Sequence, residues 1–321
     1  MDEIRITKIE NISIGQTENK EGGTGCTVIL CKDGMAAGMD VRGGGAASRE
    51  SELLKPFNNA QVIHALTLGG GSAFGLDAAG GVMKALEEEG IGFDVGVTHV
   101  PLVCQSDIFD LTVGDPNCRP DANMGYEAAK KALAGGNYKD GNYGAGCGAS
   151  VGKFNGMENA MKTGIGSFAV QIGQLQVGAI VVLNAFGNIY DDKTKETVAG
   201  AIKWNKTGFS DYKDFLYKLD KNVENKFTSN TTIGAIITNG KFDKNQLTKI
   251  ASMAHNGYAR SIRPVHTTAD GDTIYGLSVG KVDADLDMVG TLAAEVMSEA
   301  IVRAVSSAEG AYGFPAARDL Y

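Results

Sequence analysis

A chain of 321 residues with 43% hydrophobic and 21% charged residues has the composition of a soluble globular protein, long enough to bury about three quarters of the surface its unfolded form exposes. The net charge of −8 and the absence of basic clusters argue against a nucleic-acid partner, whose binding draws most of its affinity from neutralised phosphates. No apolar run approaches the roughly 20 residues that span a bilayer, and Met1-Asp2-Glu3-Ile4-Arg5 lacks the basic and apolar regions of a signal peptide, so a cytoplasmic protein without membrane contact is expected.

In chain order, short β-branched apolar runs predict strands over residues 4–9, 25–31 and 62–68, and apolar spacing of three and four predicts helices over 74–89 and 122–133. A strand follows over 177–184. Residues 203–230 are then crowded with Lys, Asn and Asp and read as a long loop or lid with weak helical pieces, a length that usually serves function or mobility. Beyond it come a strand at 233–238, a helix at 244–258, a strand at 273–279 and a helix at 286–305. Strands occur both in adjacent pairs and between helices, so sheets with helices outside fit better than a doubly wound parallel sheet.

The glycines, 44 in number, gather in clusters. Gly69-Gly70-Gly71-Ser72-Ala73-Phe74-Gly75 joins a predicted strand to a helix, the setting of an anion-binding turn. Phe74 stands where both the dinucleotide pattern and the nucleophile elbow require glycine, leaving a tight turn whose backbone N–H groups lie near a site. The five cysteines form no C-x-x-C pair and read as reduced thiols. The four histidines form no metal motif, and His266, the best placed as a base, looks more like packing.

Asp270-Gly271-Asp272 runs into a predicted strand. If extended, it puts both carboxylates on one side, where they could share the protons of a hydroxyl nucleophile; the alternative is a solvated turn or a weak cation site. Ser229-Asn230-Thr231-Thr232 is a polar turn entering a strand, and it gains chemical interest only if the bond before Thr231 breaks. A threonine at a new N-terminus carries a hydroxyl and an α-amine of pKa about 7.7–8.0, a built-in general base.

Several strings, in one order along nearly the whole chain, carry a resemblance: Gly25-Cys26-Thr27-Val28, Asp40-Val41-Arg42-Gly43-Gly44, Gly70-Gly71-Ser72-Ala73-Phe74-Gly75-Leu76, the stretch from Gly144-Ala145-Gly146 to Gly152-Lys153, Asn230-Thr231-Thr232-Ile233, and Pro264 through Asp272. The chain resembles the self-processing hydrolases that include nylon-oligomer hydrolases, β-aminopeptidases and DmpA-type L-aminopeptidase/D-esterases. The resemblance implies an αββα sandwich of the DmpA and ornithine-acetyltransferase-like type, cut at Asn230-Thr231 into an α chain of residues 1–230 and a β chain of residues 231–321 that stay together as one domain.

It further implies Thr231 as nucleophile, with Asp270 and Asp272 matching two carboxylates aligned with it in the nylon-hydrolase branch. Asn184 matches an oxyanion-stabilising asparagine, and Lys153 an active-site lysine whose bland alternative is an exposed loop residue. Gly71 and Ser72 are expected near the substrate. Phe109 stands where the nylon-hydrolase pattern has a substrate-contacting tyrosine, which leaves that hydroxyl's role without a bearer. No metal or cofactor is called for, since protein groups supply each element of acyl transfer. The expected partners are a small amide or short peptide as substrate and further copies of the αβ unit, four in all. The rival readings are acyl transfer of the ornithine-acetyltransferase type and an unprocessed binding protein of the same fold.

Overall fold

The computed structural model describes residues 1–205, 207–218 and 230–320. Ten strands form its frame: β1 (Asp2–Ile4), β2 (Ser13–Asn19), β3 (Thr24–Val41), β4 (Ala47–Arg49), β5 (Ile63–Gly69), β6 (Val103–Asp107), β7 (Ile165–Ile172), β8 (Leu175–Asn184), β9 (Thr231–Gly240) and β10 (Thr273–Val282). They run in the order β1-β7-β8-β9-β10-β3-β5-β6-β4, with β2 also against β3. Strand β3, of 18 residues, serves two layers. Its first half pairs with β2 and β5 and its last six residues with β10, the register with β5 shifting between Leu30 and Met35.

Alternation of side chains shows how the layers stack. From β8, Val177, Ala179, Val181 and Leu183 pack with Leu247, Ile250, Val289 and Val296 of helices α4 (Lys244–Ser261) and α5 (Leu286–Ser306). The intervening Ile180 and Val182 meet Ile29, Leu66 and Leu68 of the other sheet. On the far side of that sheet Val28 and Leu30 pack with Ala79 and Val82 of α1 (Ala78–Glu88) and Ala128 of α2 (Ala122–Leu133). The result is the expected αββα sandwich. Strands covered on both faces explain why 177–183 and 233–237 read as continuous apolar runs rather than alternating ones.

Parallel strands require a crossover, and α4 supplies the one between β9 and β10. It starts on a capping box in which the Asp243 carboxylate accepts from the Gln246 amide at 2.8 Å. The helix can lie close to the sheet because Gly38 and Gly276 are direct partners on β3 and β10. A Cβ on Gly38 would stand 2.3 Å from the Thr248 nitrogen, and one on Gly276 2.5 Å from the Leu247 oxygen.

Two expectations are corrected. Residues 4–9 do not continue as a strand: β1 ends at Ile4 and a short turn of helix, Ile6–Lys8, follows, which lets both Ile6 and Ile9 reach the core between the sheets. The helix predicted from Phe74 begins as a tight 3-10 segment, Ser72–Asp77, and becomes α-helical only at Ala78. Within the polar stretch 203–230 a helix, Tyr212–Lys218, sets Tyr212 and Phe215 against Phe154, Phe186 and Ala201; residues 219–229 lie outside the described residues. All five cysteines are free thiols.

Because the atoms facing Gly38 are backbone atoms, Gly38→Ala should force the helix outward and cost about 1–3 kcal/mol. Thermal unfolding would show a Tm several degrees lower, whereas an unchanged Tm would mean that α4 does not depend on this close approach.

Candidate active site

The site forms where β8 ends and β9 and β10 begin. Antiparallel pairing of β8 with β9 sets Asn184 opposite Thr231, and the parallel pairing of β9 with β10 extends to a bridge between Asn230 and Asp270. Thr231, Asn230, Asn184, Asp270 and Asp272 are all at most 5% exposed. The Gly271 N–H lies 3.2 Å from the Thr231 Oγ1 and 3.2 Å from the carbonyl oxygen of Asn230. The Thr231 hydroxyl donates to that same carbonyl oxygen. A side-chain hydroxyl and a backbone N–H thus converge on the carbonyl of one peptide bond.

The Asp-Gly-Asp triplet is not a solvated turn. Asp272 accepts from the amides of Thr232 (2.8 Å) and His266 (2.9 Å), and Asp270 accepts from the amide of Thr267 (2.7 Å). Its backbone is clamped from the other side by the amides of Arg42 and Gly43 on the Asp272 carbonyl and of Gly45 on that of Asp270. A Cβ on Gly43 would come within 2.2 Å of the Asp270 oxygen and one on Gly44 within 2.5 Å of the Thr268 oxygen, so these two glycines are required by contact.

Asn184 is the hub of the opposite wall. Its Oδ1 accepts from the Lys153 Nζ at 2.6 Å and from the Ser150 amide at 3.1 Å, and its Nδ2 donates to the Phe109 carbonyl at 2.9 Å. Lys153 is therefore not a free loop lysine. Phe109 contributes through its backbone, while its ring is half-buried.

The Gly70–Ser72 turn is tied in by the next residue, Asp110, which is buried and accepts from the Gly71 amide and the Thr24 hydroxyl, both at 2.7 Å. The anion held by this turn is thus an internal carboxylate. Since the Ser72 amide donates to Ile108, any substrate contact from Ser72 falls to its half-buried side chain.

Burial dominates the electrostatics. It pushes the Asp272 carboxyl up to about 7, helped by the Asp270 charge and opposed by its two amide donors. Asp270 is raised in the same way, against its Thr267 hydrogen bonds and the pull of Lys153. Burial also brings Lys153 down to about 7, with Asp270 and Asp110 working to keep it charged. An acid and an ammonium that both change charge near neutrality are suited to passing protons.

Two contributors had little or no sequence signal, and a third, His266, read as packing. Asp110 was one residue from the position singled out at Phe109. The Gly271 N–H is backbone, and carries no signature of its own. His266 has a positive φ of 59°, its ring is 2.9 Å from His255 Nδ1, and His255 Nε2 lies 3.1 Å from the Asp40 carbonyl. The histidine pair therefore pins the backbone amide that holds Asp272, a role between packing and catalysis. Among the described residues no three His, Cys, Asp or Glu side chains gather as a metal site would need, and no helix is long and apolar enough to cross a membrane.

The layered fold is that of the N-terminal-nucleophile hydrolases. A β-aminopeptidase from Burkholderia sp. superposes with a TM-score of 0.67 at 19% identity, over 98% of this chain and 91% of that one. An L-aminopeptidase D-Ala-esterase/amidase from Ochrobactrum anthropi, described as a variant of that fold, gives 0.63 at 16% identity, over 95% and 86%. The chain belongs to peptidase family S58, whose sequence model matches residues 5–318, and it is a hydrolase of peptide or amide bonds. Its relatives include a protein of Mycobacterium tuberculosis named as an uncharacterized aminopeptidase, 36% identical with 92% of this chain and 90% of the relative covered. Another is a 6-aminohexanoate-oligomer endohydrolase of Kocuria sp., 30% identical with 91% and 83% covered.

Replacing Asp110 by Asn removes one of the two negative charges that favour the charged form of Lys153. The Lys153 titration should therefore move below about 7, which NMR of the labelled lysine side chain would detect. An unmoved titration would show that Asp110 only braces the glycine turn.

Proposed function

We propose that the protein activates itself by cutting the Asn230-Thr231 bond and then hydrolyses amides with Thr231 as its N-terminal nucleophile. The observation that carries this reading is the convergence of the Thr231 hydroxyl and the Gly271 N–H on the Asn230 carbonyl oxygen. In the first step Oγ1 attacks the Asn230 carbonyl carbon, with the hydroxyl proton passing to Asp270 or Asp272 and on to the departing Thr231 nitrogen while the Lys153 ammonium balances the charge. The C–N bond breaks and an ester links Asn230 to Oγ1. Water then cleaves the ester, leaving a carboxylate on Asn230 and a free amine and hydroxyl on Thr231.

The same groups serve turnover. The freed α-amine joins the carboxylate pair as general base: Oγ1 bonds to the substrate carbonyl carbon, the amide C–N bond breaks, the amine leaves with the proton taken from the hydroxyl, and water then cleaves the acyl-enzyme to the free acid, while Asn184 with backbone N–H groups holds the oxyanion. Lys153 balances the charge that develops. Gly71, Ser72 and Phe109 border the substrate. The names of the relatives support short peptides or ω-amino-acid oligomers as substrates, and the αβ unit is proposed to assemble as a cytoplasmic homotetramer, which light scattering would read.

Purified protein should yield two co-eluting fragments, the smaller beginning Thr231-Thr232-Ile233. Thr231→Ala should stay one chain without amidase activity, while Thr231→Ser should split slowly. A small fragment with another N-terminus, or an active Thr231→Ala variant, identifies a different nucleophile. Free acid, not acyl transferred to added ornithine, is the expected product. Splitting and hydrolysis should peak near pH 7. Below it Asp272 gains a proton and no longer accepts one; above it Lys153 loses its charge. A rate that rises monotonically to pH 9 would remove Lys153 from the mechanism.

A further inference from the structure

Lys162 lies outside the groups assigned above, yet it is the most enclosed cation of the described residues whose hydrogen bonds are known. It is 0% exposed, and its Nζ donates to three backbone carbonyls: Gly146 at 3.1 Å, Ala149 at 2.9 Å and Thr163. No carboxylate of the described residues forms an ion pair with it. Three acceptors match the three N–H bonds of an ammonium, whereas a neutral amine has two N–H bonds and would turn its lone pair toward a carbonyl oxygen. The arrangement is that of a small cation held by carbonyl oxygens, with the cation supplied by the chain.

The carbonyls it gathers belong to both sides of Asn184. Ala149 accepts from Lys162 and from the Thr163 amide, and the next residue, Ser150, donates its amide to Asn184 Oδ1. On the other side the Thr163 hydroxyl donates at 2.6 Å to the carbonyl of Leu183, the residue before Asn184. Lys162 itself pairs with Ser150 across a two-residue ladder, Met161–Lys162 against Ser150–Val151. We propose that Lys162 is a positioning residue, an internal ammonium standing in for a bound cation, which fixes the loop from Gly146 to Lys153 against Asn184 and sets the charge environment of the Asn184–Lys153 pair. This rests on the reading of Asn184 and Lys153 as working parts of the site.

Burial works against the charged form of Lys162 and the Asp110 carboxylate favours it; burial also pushes the Cys147 thiol up, so it adds no charge near neutrality, and the charge of Lys162 disfavours that of Lys153. Removing the ammonium therefore has a signature that loosened packing lacks: Lys153 becomes easier to protonate. The experiment uses Lys162→Met, which keeps the apolar stem, and Lys162→Ala, which leaves room for added methylammonium.

In Lys162→Met, chain splitting and kcat for a chromogenic amide should fall roughly tenfold to a hundredfold with KM within about twofold, and the Lys153 titration followed by NMR should rise. In Lys162→Ala, methylammonium chloride should restore part of the splitting rate, or of the soluble yield if the variant does not fold without it, while tetramethylammonium, which has no N–H donor, should not. Wild-type splitting and kcat in Lys162→Met with an unmoved Lys153 titration would overturn the proposal, as would equal effects of the two salts on Lys162→Ala. If the wild type never splits, the reading of Thr231 fails, and the Lys153 titration and the methylammonium comparison still decide the role of Lys162.

Discussion

The parallel register between β9 and β10 is the constraint on which the site depends. Because Ile233 pairs with Thr273, the residues just before the two strands come side by side, and the Gly271 N–H is brought onto the Asn230 carbonyl without any side chain having to reach for it. A shift of one residue would turn every side chain of β9 to the opposite face, putting Ile233, Ala235 and Ile237 out of the core between the sheets. The same apolar packing that stabilises the sandwich therefore holds Thr231 in place. Hydrophobic burial at the centre of the fold sets the geometry of chemistry at its edge.

Burial also sets the electrostatics. Asp270, Asp272, Lys153 and Lys162 are all shifted toward their neutral forms, with burial as the first cause in each case. Backbone amides offset part of that penalty at Asp270 and Asp272, and the charges of Asp270 and Asp110 offset part of it at Lys153. Groups held this way stay near the balance point between their protonation states, where a proton can be passed at little cost. A site of tight ion pairs would fix each charge more firmly and move protons less readily.

Much of this was legible in the sequence, for identifiable reasons. Long apolar runs with β-branched residues gave β8, β9 and β10, since strands buried on both faces leave an unbroken signal. The helices α2, α4 and α5 followed from their apolar spacing. The short stretch at 4–9 misled because Ile6 and Ile9 are buried from a turn, and apolar content alone does not distinguish a turn from a strand. The candidate residues Thr231, Asn184, Lys153, Asp270 and Asp272 converge in space, although it was the resemblance that joined segments some 120 residues apart. The parts that escaped were the Gly271 N–H and the carbonyl cage of Lys162, and His266, though noticed, was not linked to His255 or to Asp272. Backbone donors and acceptors are common to nearly every residue, so their function resides in conformation and leaves no mark in composition.

The place of β9 and β10 in the sheet has a consequence for how the molecule comes into being. They lie next to each other in the interior of the strand order, with β8 on one side and the end of β3 on the other, and α4 covers them while α5 lies over β7 and β8. The segment from Thr231 onward thus brings neither a complete sheet nor a complete core, and the segment before it would be left with two open strand edges. Each is the missing template of the other. The peptide bond before Thr231 does its structural work during folding, as a tether that keeps the two pieces at an effective concentration separate chains would not reach. Once the strands have paired, shape is carried by the sheet, so the cut proposed before Thr231 would sever a tether whose work is already done.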